Sequence, residues 1–173
     1  MNWFGALLLW VAAAVVGAVV VFGLALVILG PARVWGVFGP ADLGDVNLET
    51  LMRRTTPNDA LAAPENWGNA RKDIISPSYR LPASRLREVF RRAIAGERQL
   101  ERVAASDDTL SERYVQRTRL MGYPDTIIVR FIEQGGGGAS IVMYSRSKLG
   151  RSDLGANKAR LERWLTLIRN SIS

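Results

Sequence analysis

Apolar and small residues form an unbroken run from Trp3 to Gly30, and the first charged residue of the chain is Arg33. A helix of about 20 apolar residues suffices to cross the core of a bilayer. The run has no basic n-region, and it is roughly twice as long as the apolar part of a secretory signal peptide. It therefore predicts a retained transmembrane anchor over residues 1–30, which ends where Pro31 disfavours further helix.

The stretch that follows the anchor is rich in proline. Residues 31–82 contain six of the seven prolines in the chain, and prolines interrupt continuous helices and central strands. We predict that residues 31–81 form a connecting segment that is mostly irregular. One short amphipathic helix fits within it, from Asn47 as its N-cap to Arg54.

Regular periodicity begins at residue 82. Apolar residues at helical spacing predict one helix from Pro82 to Ala95 and another from Leu154 to Ile172. Between them, four segments bounded by turn residues predict β-strands, at about 99–105, 112–120, 126–134 and 139–147. Their short connections favour antiparallel pairing. The predicted fold class is α+β, in which the transmembrane helix precedes a two-layer domain, residues 82–173, with a four-stranded antiparallel sheet and two helices on one face.

Two helices cover only one face of such a sheet, so the other face is predicted to be open. Strand alternation assigns Ile127, Val129 and Phe131 to the core side. The outer face would carry a set of arginines and one tyrosine: Arg117, Arg119, Arg130, Tyr144 and Arg146. Because arginine and aromatic residues are enriched at protein interfaces, this face is a candidate docking surface. An ordinary solvated sheet face is the alternative.

Composition excludes more chemistry than it suggests. The chain has 173 residues, of which 23 are basic and 16 acidic, and the net charge of +7 lies entirely after residue 32. This basic excess is typical of a surface that faces phospholipid headgroups or an acidic protein. No aromatic-basic motif is present, so a nucleic-acid partner is not predicted. The chain lacks cysteine and histidine, which excludes thiol nucleophiles, histidine-based triads and the usual zinc or haem ligands; no cofactor or metal is predicted.

The most specific pattern lies between residues 144 and 162. It resembles domain-of-unknown-function family 1499, in which a segment reads like Ser-x-Ser-x-x-Gly-x-Ser-Asp-x-Gly-x-Asn-x-x-Arg. The matching positions here are Ser145, Ser147, Gly150, Ser152, Asp153, Gly155, Asn157 and Arg160. Thr56-Pro57-Asn58 is similar to the family's Ser-Pro-Asn segment, and Tyr123-Pro124-Asp125 to its acidic turn. The chain departs from the family at Tyr144, where a basic residue is expected, and in lacking cysteines near the Pro-Asn segment.

The motif is interpreted first as a structural crossing from the last strand to the last helix. Gly150 and Gly155 would allow backbone angles that other residues resist. Ser152 or Asp153 would cap the helix by accepting backbone N–H groups. Asn157 would bond to neighbouring loop backbone, and Arg160 would reach back to Asp153.

The alternative interpretation is a binding site for a small anion or a lipid headgroup at the N-terminus of the last helix. Ser147, Lys148 and Arg151 would then be further donors to the ligand. The Asp153 carboxylate would compete with an anion for the same backbone amides, which favours the structural interpretation.

Two hypotheses of function follow. The first is a non-enzymatic, single-pass membrane protein that serves as an accessory or assembly subunit of a larger membrane complex, for example a respiratory or photosynthetic one. The second is a stand-alone anchored domain that binds lipid headgroups or a small anionic ligand through residues 145–160. Catalysis is not predicted, because no carboxylates are paired at a defined spacing and the resemblance, which covers about residues 50–172, implies no reaction. We expect a bacterial inner-membrane location with a periplasmic domain, although Arg33 weakly favours the opposite orientation.

Overall fold

The computed structural model describes residues 3–119 and 121–172, and the chain divides into two units, up to Gly39 and from Pro40 onward. In the first unit, α1 (Trp3–Leu29) is followed by the short α2 (Pro31–Gly36). The mean hydropathy of α1 reaches 2.9, and this helix is long and apolar enough to cross a membrane. It ends before Pro31, as predicted. Pro31 begins α2, a position where the missing N–H of proline costs no helical hydrogen bond.

The second unit is built on a mixed sheet of six strands in the order β2-β1-β6-β5-β4-β3. The strands are β1 (Asp59–Ala63), β2 (Ile74–Ile75), β3 (Leu100–Ser106), β4 (Ser111–Arg117), β5 (Pro124–Gln134) and β6 (Gly138–Ser147). Strands β3 to β6 pair antiparallel in succession, as predicted, with Arg130 opposite Val142 in the β5–β6 pair. β1 pairs antiparallel with β6 and parallel with β2.

The prediction that four antiparallel strands make up the whole sheet is wrong. β1 and β2, from the segment predicted to be irregular, enlarge the sheet to six strands, and their parallel pairing makes it mixed. β1 has only five residues, three of them alanine, which is depleted in strands. Pro57 and Pro64 flank it, and prolines at these positions predict turns and loops more than a strand. Its pairing with β6 stabilises it, and such a long-range contact leaves no local pattern in the sequence.

The predicted helix at residues 47–54 is also wrong, since these residues form turns and extended chain. Asn47 Oδ1 accepts hydrogen bonds from the backbone N–H groups of Glu49 (2.9 Å) and Thr50 (3.3 Å), and the chain turns there without continuing as a helix. Asparagine favours such turns as well as helix caps. The packing of Leu48 and Leu51 on the sheet then determines the path of the segment.

Two helices cover one face of the sheet, as predicted. They are α3 (Ala83–Ala93) and α4 (Ala156–Ile172). The Phe90 ring lies within this core, with its centroid 5.4 Å from that of Phe131 and 5.6 Å from that of Trp164. Ile127 and Val129 face the helices too, in agreement with the alternation in the sequence.

The opposite face of the sheet is covered, which overturns the prediction that it is open. Residues 40–54 and 64–73, on either side of β1, lie over it, and we refer to them as the covering loops. Their Leu48 and Trp67 pack against Ile128, Val142 and Tyr144 of the sheet. The long connection is therefore a docked layer of the domain, as long segments without regular structure often are.

Candidate functional site

The motif at residues 145–160 forms the end of β6, the start of α4 and the connection between them. Gly150 and Gly155 have φ angles of 87° and 82°, in the left-handed region that favours glycine. Leu154 has a φ angle of 53° and is 96% exposed. The connection is a tight turn that presents one apolar side chain to solvent.

Asp153 caps the start of α4. Its Oδ1 atom accepts a hydrogen bond from the backbone N–H of Gly155 (2.9 Å), and its Oδ2 atom accepts one from that of Asn157 (2.9 Å). The carboxylate also lies at the positive end of the helix dipole, which stabilises it there. The backbone amides that a small anion would need at this position therefore already donate to Asp153.

Asn157 is fully buried and joins α4 to two other parts of the chain. Its Nδ2 atom donates to the backbone oxygen of Asn58 (3.2 Å) and to Ser147 Oγ (2.9 Å). Its Oδ1 atom accepts a hydrogen bond from Ser145 Oγ (2.5 Å). Because a buried amide is costly unless it is hydrogen-bonded, these contacts fix the position of the helix on the strand.

Arg160 is 5% exposed and pairs with Asp125, whereas the sequence suggested Asp153. Its Nη2 atom donates to Asp125 Oδ2 (2.5 Å), and its Nε atom donates to Gln116 Oε1 (2.6 Å). Its Nη1 atom donates to Ser145 Oγ (2.8 Å). From α4 this side chain points toward the sheet and pairs with Asp125, near the start of β5. The Asp153 carboxylate instead accepts hydrogen bonds from backbone N–H groups at the start of α4.

The Thr56-Pro57-Asn58 segment completes the arrangement. Asn58 Nδ2 donates to the backbone oxygen of Gly150 (2.7 Å), and the backbone oxygen of Asn58 accepts from the N–H of Ser147 (2.9 Å). Thr56 Oγ1 donates to Asn58 Oδ1 (3.0 Å). The three segments that carry the family resemblance, which are far apart in the sequence, thus meet at one place.

Six side chains meet there, and we call them the motif network: Asn58, Asp125, Ser145, Ser147, Asn157 and Arg160. Each of these residues is at most 6% exposed. Five of the side chains hydrogen-bond to one another, and Asn58 joins them through its backbone oxygen. Satisfied hydrogen bonds of this kind are the condition under which buried polar groups stabilise a fold. The network can hold the crossing from β6 to α4 in one conformation, and its atoms lie beneath the surface that a ligand would touch.

The other predicted donors of the motif, Lys148 and Arg151, lie outside this network. The Lys148 ammonium donates to the backbone oxygen of Pro40 (2.6 Å), at the start of the domain unit. Arg151 is exposed, and so is Ser152, whose Oγ accepts from the N–H of Leu154 (3.2 Å). The predicted anion donors are therefore divided between the interior and the surface of the turn.

Two of the predicted docking-face residues contact the covering loops or the neighbouring strand β1. Tyr144 is 2% exposed, and its hydroxyl donates to Asp59 Oδ2 (2.7 Å). Arg146 Nη2 donates to the backbone oxygen atoms of Leu43 (3.0 Å) and Gly44 (2.9 Å). Burial lowers the pKa of Arg146.

The three remaining docking-face residues lie apart from one another. Arg130 Nη1 is 3.0 Å from Glu49 Oε1, at the edge of a covering loop. Arg117 ends β4, and its Nη1 atom donates to the backbone oxygen of Gly122 (3.4 Å). Arg119 is exposed in the turn that follows β4. The structure therefore does not gather the five residues on one open face.

Asp59, which sequence reasoning missed, organises the covering loops. Arg53 donates to both of its carboxylate oxygens, through Nη2 to Oδ1 (2.8 Å) and through Nε to Oδ2 (3.0 Å), and Arg53 Nη1 also pairs with Asp73 (2.8 Å). Burial alone would raise the pKa of Asp59, but the hydrogen bonds from Arg53 and Tyr144 outweigh it and lower the pKa. No spacing rule connects Asp59 with Tyr144; the pairing of β1 with β6 brings these two residues together.

A cavity of about 520 Å³, which we call the Arg130 groove, lies between a covering loop and the β4–β5 pair. Its walls include three apolar and three charged residues: Val46, Leu48, Ile128, Asp45, Glu49 and Arg130. The Arg130 guanidinium carbon is 5.7 Å from the centroid of the Trp67 ring, within the range of a cation–π contact. Within the residues that the structure describes, no three Asp or Glu side chains are placed to share a metal ion.

The family model with the description "Protein of unknown function (DUF1499)" matches residues 52–168. This range contains all six residues of the motif network and every strand of the sheet, and it begins after the two helices of the first unit. A comparison with curated proteins found no match.

Proposed function

The chain belongs to the DUF1499 family, and from that premise we propose that it is a membrane-anchored, non-enzymatic protein that docks as an accessory or assembly subunit on a larger membrane complex. In this proposal α1 is the anchor in a bacterial inner membrane, and the domain lies on the periplasmic side. The proposed partner is a membrane complex of the respiratory or photosynthetic kind.

The observation that carries this proposal is the Arg130 groove. It combines an apolar lining from Leu48 and Ile128 with charges at its rim, which is the composition of many protein interfaces. Arginine and tryptophan are the residues most enriched among those that dominate binding energy, and here Arg130 lies over Trp67. The groove is large enough to receive side chains of a partner protein.

The environment of the carboxylates supports a role without catalysis. Asp125 is buried in a pair with Arg160, and Asp153 is engaged at the cap of α4. Glu133 Oε1 accepts a hydrogen bond from the backbone N–H of Ala83 (2.8 Å), at the start of α3. A general acid or base has to reach a proton of its substrate, and these three groups are instead used to join elements of the fold.

The test is extraction of the full chain from native membranes in mild detergent, followed by size separation and mass spectrometry. Arg130→Glu reverses the charge of the side chain that pairs with Glu49 at the groove, and it is the test variant. Arg85→Glu, which changes an exposed arginine on α3, is the matched control.

The wild-type chain and Arg85→Glu should co-migrate with a large assembly at fixed stoichiometry, and Arg130→Glu should lose most of the recovered partner. Migration of the wild-type chain alone would remove the proposed subunit role. Retention of the partner by Arg130→Glu would keep the subunit role and remove the groove as the contact.

A further inference from the structure

One end of the sheet gathers loops around the point where the chain enters the domain. Pro40 is the first residue of the domain unit, and its backbone oxygen accepts a hydrogen bond from Lys148 Nζ (2.6 Å). The backbone N–H of Lys148 donates to the backbone oxygen of Pro124 (3.0 Å), so the β4–β5 turn lies beside the β6–α4 connection. We refer to this turn and this connection, together with Pro40, as the Pro40 end of the sheet.

The exposed side chains of the Pro40 end combine positive charge with an apolar residue. Arg119 and Arg151 are exposed, and Leu154 is 96% exposed. The one acidic residue of the β6–α4 connection is engaged in the helix cap. The β3–β4 turn, at the other end of the sheet, carries two exposed aspartates, Asp107 and Asp108. The turns at the two ends of the sheet thus differ in the charge of their exposed side chains, which is positive at the end where the chain enters and negative in the β3–β4 turn.

This combination fits the surface of an anionic bilayer. Basic residues near such a surface are attracted to lipid phosphates, and an apolar side chain gains free energy when it leaves water for the interface. The chain also carries α1, which is apolar enough to cross a membrane, and the chain between α1 and the domain ends at this same place, Pro40.

We propose that the Pro40 end binds the surface of an anionic phospholipid bilayer. Arg119 and Arg151 contact lipid phosphates, and Leu154 inserts between the headgroups. The amides at the start of α4 take no part, because they donate to the carboxylate of the cap. This contact does not depend on the docking role proposed above, since it uses other residues and another partner.

The chain contains no cysteine, so a single one can be introduced and labelled without background. The full chain with Leu154→Cys, carrying an environment-sensitive fluorophore, is reconstituted into nanodiscs of phosphatidylcholine alone or mixed with phosphatidylglycerol. Lipids that bear a nitroxide near the headgroup quench a fluorophore that reaches the interface. The same label at Asp108→Cys, also exposed but at the opposite end of the sheet, is the matched control.

The label at Leu154→Cys should be quenched strongly in nanodiscs that contain phosphatidylglycerol and less in phosphatidylcholine alone, while the label at Asp108→Cys should be quenched weakly in both. Each arginine neutralised should weaken the contact about fivefold, so Arg119→Gln with Arg151→Gln should weaken it about 25-fold. Arg85→Gln with Arg92→Gln, the same charge change on α3, should leave it unaltered.

Equal quenching of the two labelled sites would overturn the proposal. So would quenching at Leu154→Cys that does not respond to the loss of phosphatidylglycerol or of the two arginines, because the contact would then be independent of charge. All these substitutions are at exposed positions, so that folding is not at risk.

Discussion

The two faces of the sheet hold their outer layers with similar polar contacts but with different amounts of apolar packing. On the helix face, Glu112 of β4 is 2% exposed, and its side chain contacts α3. It accepts hydrogen bonds from Arg87 Nε (2.6 Å) and Arg91 Nε (2.6 Å), and also from the hydroxyl of Tyr114. One buried carboxylate thus joins a tyrosine of the sheet to two arginines of the helix.

The opposite face repeats this arrangement with Asp59. This carboxylate accepts hydrogen bonds from the hydroxyl of Tyr144, a residue of the sheet, and from the guanidinium of Arg53, a residue of the covering loops. A tyrosine and an arginine again meet at one carboxylate, although the covering loops, all of whose residues the structure describes, form no helix.

The faces differ in what surrounds the carboxylate. The helices bury several large apolar side chains completely: Leu86, Phe90, Leu161, Trp164 and Ile168. The covering loops contribute Leu48, with Leu51 and Trp67 only partly buried. Since apolar burial stabilises by about 25 cal/mol per Å², the helix layer is held mainly by apolar contact, and the covering loops depend more on their charged contacts. A loop can therefore replace a helix as a layer of a domain, at the cost of greater sensitivity to polar substitutions.

The largest loss of unfolding free energy is expected where a buried charge on the helix face loses its partner. Arg160→Met leaves Asp125 buried without its countercharge and should lower the free energy of unfolding by about 3–5 kcal/mol. Methionine retains much of the packing of the arginine stem, so the loss reports mainly on the charge. Denaturant unfolding of the full chain in detergent micelles measures it.

Two further variants distinguish the contribution of the ion pair from that of packing. Arg92→Met, on the exposed side of α3, should change the free energy of unfolding by less than about 0.5 kcal/mol. Adding Asp125→Asn to Arg160→Met should recover part of the loss, because the unpaired buried charge is removed. If nothing is recovered, the packing of the arginine and not its ion pair is what stabilises the crossing.

Two buried leucines, one on each face, test the difference in apolar packing directly. Leu161 is 0% exposed and Leu48 is 4% exposed. Leu161→Ala leaves a cavity between a helix and the sheet, and it should cost about 3–5 kcal/mol of unfolding free energy. Leu48→Ala removes the same atoms from a loop that can relax into the space, and it should cost about 2 kcal/mol or less. Equal losses would contradict the difference between the faces.

The helix face could be predicted from the sequence because both of its sides leave local patterns. Leu161, Trp164 and Ile168 recur at helical spacing, and Ile127 and Val129 alternate along a strand. Each pattern by itself identifies an element and its buried side. The two predicted helices and the four predicted strands therefore lie close to their observed positions.

The covering face could not be predicted in this way. Alternation correctly placed Tyr144 on the side away from the helices, but it carries no information about what lies on that side. Asp59 contacts Tyr144 because β1 pairs with β6, and no local sequence pattern predicts this pairing. The same limit applies to the motif: sequence proximity favoured Asp153 as the partner of Arg160, whereas Asp125, 35 residues away, is the one that contacts it.

The smallest change in stability, and the one most specific to the covering loops, is expected when the pH is lowered. Burial alone would raise the pKa of Asp59 and of Glu112, but hydrogen bonds from the tyrosines and arginines lower both pKa values. A carboxylate with a lowered pKa in the folded state stabilises the fold at a pH above its unfolded pKa, about 4. That stabilisation is lost as the pH falls from about 4 toward the folded pKa.

We expect the covering loops to respond to this loss before the helices, because less apolar contact remains to hold them once Asp59 is protonated. Hydrogen exchange with mass spectrometry, corrected for the intrinsic exchange rate at each pH, should show residues 40–54 and 64–73 losing protection at a higher pH than α3.

Asp59→Asn should lower the protection of the covering loops already at neutral pH and remove most of the acid response. Tyr144→Phe keeps the charge of Asp59 and deletes one hydrogen bond, so it should cost about 1 kcal/mol and leave the acid response in place. If α3 and the covering loops lose protection together in every variant, the two layers open as one cooperative unit, and the difference between the faces is one of composition without a difference in local stability.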